Sequence, residues 1–194
     1  MDKALRGCSP KVRPTLIVFL DRDGVICRYF ANDFTKSWAE FEFLSGAREA
    51  LKLLNQSGAK VIIISNQSGV NKGIYSAKDL KEIDRRMAEA VTASGGRIDA
   101  SFYCPHTSEE ACFCRKPGTG LVKKAVSELH LNLKESAAYF VGDAEIDIIT
   151  GHRAGLITIL VLSGRTVLAE ETKGWKIKPD HVAPDLMGAL KYIL

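Results

Sequence analysis

The chain has 194 residues, 46% of them hydrophobic and 26% charged, which is the size and balance of one globular domain and excludes a disordered or fibrous chain. The 27 Lys and Arg against 23 Asp and Glu leave a net charge of +4 with no basic run or stripe, which suits a small anionic ligand and gives no case for nucleic acid. No apolar run approaches the ~20 residues that span a bilayer, and the polar, basic first fifteen residues lack the apolar core of a secretory signal, so the expectation is a cytoplasmic protein without a membrane partner.

Residues 1–14, with Pro10 and Pro14, read as a loose N-terminal extension to a domain over 15–194. From there short apolar runs alternate with amphipathic stretches. Strands are predicted at Leu16–Leu20, Lys60–Ser65, Ile98–Tyr103, Ala137–Val141 and Ile157–Leu162. They are rich in Val, Ile and Phe and almost continuously apolar, as strands covered on both faces should be. Helical periodicity covers Ala47–Gln56, Ala77–Ala93, Gly120–Leu131, Asp147–Ala154 and Pro184–Tyr192. Strands alternating with helices predict a doubly wound, parallel α/β sheet of the Rossmann-like kind. The gaps on either side of the second strand are too short for a separate cap domain.

Ligands collect at the carboxyl ends of such strands, so the residues just past each apolar run carry the chemical information. Asp21-Arg22-Asp23-Gly24 comes after the first, and Ser65-Asn66-Gln67-Ser68-Gly69 closes the second. Gly142-Asp143 comes after the fourth, with Asp147 four residues on. Asp21, Asp23 and Asp143 offer the oxygen ligands that a hard Mg²⁺ ion takes, and such an ion lets a carboxylate approach an anionic phosphate. The Ser65 hydroxyl and nearby amides could cradle phosphate oxygens, and Lys116 and Arg115 could supply positive charge to them.

After the third strand come Cys104, His106, Cys112 and Cys114 within eleven residues. Three thiolates and an imidazole make a complete tetrahedral Zn²⁺ shell, and four protein ligands leave no open position, so this zinc would be structural. The chain's odd total of five cysteines argues against a disulfide framework. Cys27, near the acids, reads as a small buried hydrophobe.

Phe19-Leu20-Asp21-Arg22-Asp23-Gly24-Val25 resembles the first motif of the haloacid dehalogenase-like phosphatases. Ser65, Lys116, and Gly142-Asp143 with Asp147 match the second, third and fourth in order. The loop from Cys104 to Pro117 resembles the zinc-bearing branch, whose members act on heptose bisphosphate and on histidinol phosphate. The resemblance implies that Asp21 attacks phosphorus and that Asp23 serves as general acid and then base. It also implies Mg²⁺ held by Asp21, the Asp23 main-chain carbonyl and Asp143, with Asp147 behind. Ser65 and Lys116 would steady the phosphoryl oxygens. The substrate would be a small phosphorylated metabolite and the protein a monomer. Two departures bear on the substrate: Ala144 stands where relatives carry Lys or Arg, and Arg28-Tyr29-Phe30-Ala31-Asn32 stands in place of the Gly-Tyr pair that relatives carry shortly after the first motif. The neutral Ser68, with Arg28, Asn66, Lys72 and Arg115 as further contacts, favours a sugar bisphosphate over the amine of histidinol phosphate. A third alternative is a zinc-stabilised module that binds phosphorylated ligands without turnover.

Overall fold

A computed structural model describes residues 15–194, so the predicted N-terminal extension lies outside the described residues. Six strands form one sheet: β1 (Thr15–Leu20), β2 (Lys60–Asn66), β3 (Ala100–Cys104), β4 (Ser136–Gly142), β5 (Ile157–Val161) and β6 (His181–Ala183). Every pairing is parallel and the spatial order is β3-β2-β1-β4-β5-β6. Helices α1 (Ala47–Gln56), α2 (Ala77–Ala93), α3 (Gly120–Glu128), α4 (Glu145–Arg153) and α5 (Leu186–Ile193) make the crossovers and the C-terminal cover. The predicted α/β sheet is what the chain forms, and the described residues contain no separate cap domain.

The two-residue period of a strand explains both layers. Val18 and Leu20 of β1, Val61 and Ile63 of β2, and Val141 of β4 point to one face, where α1, α2 and α5 bury Leu51, Leu54, Val91 and Leu190. Ile17 and Phe19, Ile62 and Ile64, and Phe140 point to the other, where α3 contributes Leu121 and Val122. There Gly151 of α4 abuts Phe140 and Thr158.

The chain moves outward from β1 to β2 and β3, then returns to lay β4 on β1's free side. The carboxyl ends of β1 and β4 therefore border the crevice where the winding reverses, which is where ligands bind in such sheets. β6 was not predicted, and neither were two short 3₁₀ turns at Trp38–Glu40 and Ala169–Gly174. No helix among the described residues is long and apolar enough to cross a membrane.

Candidate active site

Asp21 is the last residue that the sheet holds: its N–H still donates to the Val141 carbonyl of β4, at 3.0 Å. Its Oδ1 accepts the Arg22 N–H at 2.7 Å, and its Oδ2 lies 2.8 Å from Lys116 Nζ. Asp147, in the first turn of α4, folds back so that Oδ2 accepts the Ala144 N–H at 3.1 Å. That turns Oδ1 towards Lys116 Nζ, 2.6 Å away. Lys116 is itself clamped by Asn66, whose Oδ1 accepts its N–H at 3.0 Å and whose Nδ2 donates to its carbonyl at 3.1 Å. The end of β2 thus sets the lysine that ends the cysteine loop.

Carboxylate oxygens of Asp21, Asp143 and Asp147 lie within 4.8 Å of one another. Burial, reinforced by Asp147 and Asp21, pushes the Asp143 carboxyl well above the usual range. Burial also raises Asp147, to about 6, with Lys116 opposing and Asp21 adding to the shift. Burial disfavours the Lys116 ammonium, but Asp147 and Asp21 outweigh it and hold the proton more tightly than usual. Three clustered carboxylates against one ammonium leave unbalanced negative charge on hard oxygen donors, a set that fits Mg²⁺.

Asp23 turns away from this group. Both its oxygens accept from Arg22 Nη2 at 3.0 Å, and Oδ2 also accepts from Gln67 Nε2 at 2.7 Å. Burial would raise this carboxyl, but the Arg22 guanidinium and the Gln67 and Cys27 bonds hold it low. Of Asp23, only the main-chain carbonyl is left for the metal role that the resemblance implies. Cys27 is fully buried, and its Sγ reaches Asp23 Oδ1 at 3.5 Å. Gln67 is the hub: it also donates to Ser65 Oγ at 3.1 Å and accepts from Arg22 Nη2 at 2.9 Å and Tyr75 Oη at 2.6 Å. Sequence reading passed over Gln67, because a glutamine after a Ser-Asn turn looks like solvated loop.

These residues open onto a cleft of about 440 Å³. Ser65, Asn66, Ser68, Lys72 and Arg115, all singled out from the sequence, line it. Arg28, also singled out from the sequence, stands apart from them. Its N–H bonds the Glu42 carbonyl, its exposed guanidinium pairs with Glu42 Oε2 at 3.3 Å, and it lies outside the cleft lining. The bridge that joins Cys27 to Phe43 runs this segment beside Glu42. Tyr29, Phe34 and Arg165, none of them predicted, line the cleft instead. Arg165 lies 22 residues beyond Asp143, and no local motif signals their meeting.

The cysteine loop closes as a knot. Sγ atoms of Cys104, Cys112 and Cys114 are 3.1 to 3.6 Å apart. His106 Nδ1 is 3.4 Å from Cys104 and 3.2 Å from Cys114. These gaps are slightly under the roughly 3.8 Å edge of a tetrahedron with ~2.3 Å zinc–sulfur bonds. The Cys112 thiol sits at about 7 because the Arg115 N–H and neighbouring sulfurs outweigh burial, so a thiolate is at hand near neutral pH. Arg115 is tied to the knot twice, by its N–H to Cys112 Sγ at 3.3 Å and by Nη1 to the His106 carbonyl at 2.9 Å.

A HAD-hydrolase-like family model matches residues 113–189. A D-glycero-D-manno-heptose-1,7-bisphosphate 7-phosphatase of Chlorobaculum tepidum is 34% identical over 191 residues, covering 92% of this chain and 94% of its own. The D-glycero-beta-D-manno-heptose-1,7-bisphosphate 7-phosphatase of Neisseria meningitidis serogroup A is 32% identical, at 92% and 94% coverage. Among solved structures, the D,D-heptose 1,7-bisphosphate phosphatase of B. bronchiseptica, complexed with magnesium and phosphate, superimposes with a TM-score of 0.84. It is 30% identical and covers 92% of this chain and 97% of its own.

Proposed function

The chain belongs to the HAD-like phosphatases of the heptose-bisphosphate family, and from that premise we propose that it removes one phosphate from D-glycero-D-manno-heptose 1,7-bisphosphate. It is a phosphomonoester hydrolase, and the alternative of a binding module without turnover falls away. The observation that carries the reading is the meeting of Asp21, Lys116, Asp143 and Asp147 at the reversal point of the sheet.

An Asp21 oxygen forms a bond to phosphorus as the ester oxygen leaves, so one difficult displacement becomes two easier ones. Asp23 protonates the departing oxygen. Its network stores it as the carboxylate, and an entering phosphoryl dianion favours its protonation by like-charge repulsion. In the second step a water attacks the aspartyl-phosphate, Asp23 takes that water's proton, and Asp21 is released with inorganic phosphate. Lys116 and Ser65 neutralise and orient the phosphoryl oxygens. Mg²⁺ would be held by Asp21, Asp143 and the Asp23 carbonyl, with Asp147 behind them, and would supply the charge that lets a carboxylate approach an anionic ester. Zn²⁺ in the four-residue knot would be structural and would fix Arg115 and Lys116.

Lys72 and Arg115 in the cleft, beside the neutral Ser68, support a doubly anionic substrate over one bearing an amine. Phosphate release from heptose 1,7-bisphosphate and from histidinol phosphate, each with Mg²⁺, is the deciding assay. The bisphosphate is expected to have the higher kcat/KM. A tenfold preference for histidinol phosphate, about 1.4 kcal/mol of transition-state discrimination, would reverse the assignment.

A further inference from the structure

The cleft carries cations on both sides of Asp21. Lys72 and Arg115 arrive on the loops after β2 and β3, and Arg165 arrives from the opposite side on the loop after β5. On that second wall Ala144 and Ile146 contribute only hydrocarbon, so Arg165 is its sole cation among the described lining residues.

The placement of Arg165 is built in. A Cβ on Gly164 would collide with Asp143 Oδ2 and with the Gly24 backbone, so the loop can press against both only because residue 164 is glycine. The Arg165 N–H donates to Asp143 Oδ2 at 2.6 Å, and the Thr166 N–H donates to the Asp143 carbonyl at 3.1 Å. The side chain is steered from its middle: Nε donates to Tyr29 Oη at 3.2 Å, and Cζ lies 5.7 Å from the centre of the Tyr29 ring. Neither terminal nitrogen has a hydrogen-bond partner among the described residues. Arg115, by contrast, gives Nη1 to a main-chain carbonyl, and Arg22 spends Nη2 on Asp23 and Gln67. A guanidinium tethered through Nε with its fork open has the geometry for bidentate phosphate binding.

We propose that Arg165, oriented by Tyr29, binds the phosphate that is not transferred while the other phosphate lies against Asp21. It is thereby a specificity-determining residue for the anionic far end of the substrate. The assignment rests on the reading that the substrate carries two phosphates.

The test compares the wild type with Arg165→Ala, Arg165→Lys and Arg115→Ala on heptose 1,7-bisphosphate, fructose 1,6-bisphosphate and p-nitrophenyl phosphate at saturating Mg²⁺. The quantity read is kcat/KM for each bisphosphate divided by that for the nitrophenyl ester. Arg165→Ala is expected to lower this ratio at least tenfold, with the loss carried by KM, and Arg165→Lys to recover part of it. An unchanged ratio in Arg165→Ala overturns the proposal, most plainly if Arg115→Ala lowers it instead. Equal losses on all three esters also overturn it, since they mark a residue that merely props Asp143. A wild type that favours fructose bisphosphate but not heptose bisphosphate sinks the substrate reading, and the Arg165 proposal is then decided on the fructose ratio. Wild-type ratios near one for both bisphosphates overturn both.

Discussion

Asp21 and Lys116 meet at 2.8 Å, with side chains 13% and 1% exposed, so water and salt screen the pair less than they would at the surface. Asp21→Asn keeps the shape of the side chain but removes the charge proposed to attack phosphorus. Turnover should fall by about three orders of magnitude or more, with circular dichroism and the thermal melt close to wild type. Stopped-flow phosphate release and trapping of a phosphorylated chain check this, and a variant that still forms the covalent species would refute the nucleophile. Gln67 carries a different load, since it bonds Arg22, Asp23, Ser65 and Tyr75 at once. Gln67→Leu removes the hydrogen bond to a buried guanidinium whose Nε and Nη1 already lack partners, at a cost of about 2–3 kcal/mol. Urea unfolding should register that loss, and kcat should drop with it because Asp23 and Ser65 lose a shared anchor. Unaltered stability would mean that the hub is slack.

Helices α1 and α2 were legible to the residue, because their apolar faces repeat cleanly and Ser76 with Asp79 forms a capping box at the start of α2. Helix α4 begins at Glu145, two residues before the predicted Asp147. Asp147 therefore lies inside the first turn and bonds back to the Ala144 N–H, the same fold-back that places its other oxygen on Lys116. β6 is only three residues long and pairs along one edge, too little for alternation to show. Asp21, Asp143, Ser65 and the four cysteine-loop ligands could be picked out because each sits at a strand end or in one short loop. Arg165 and the Gln67 hub were not, because tertiary closure alone defines their partners. The cysteine loop is the element with most to lose from one atom. Cys112→Ser should lower bound zinc from about one per chain and reduce activity by misplacing Arg115 and Lys116. Hydrogen exchange should speed up across residues 104–118 while β1 and β4 stay protected. Protein purified without chelators and free of zinc would overturn the structural role.

The winding of the whole sheet creates the electrostatic problem at its centre. Laying β4 on β1 brings Asp21, Asp143 and Asp147 to within 4.8 Å in a buried crevice, and Lys116 offsets only part of their charge. Burial, with Asp147 and Asp21 adding to it, holds Asp143 well above the usual range, and Asp147 rises from 3.8 to about 6. A carboxyl raised on folding binds more protons in the native than in the unfolded chain between its two pKa values. Metal-free stability therefore falls as pH climbs through that interval, which for Asp147 runs from about 4 to about 6. Mg²⁺ held there, as proposed, would take the ionised carboxylates and displace the protons that they hold. The rise in melting temperature given by Mg²⁺ should then be larger near pH 8 than near pH 5. Calorimetric titration near neutral pH, in buffers of different ionisation enthalpy, should show proton release on binding. A Mg²⁺ increment that shrinks as pH rises, or binding with no proton released, would place the ion somewhere other than this crevice.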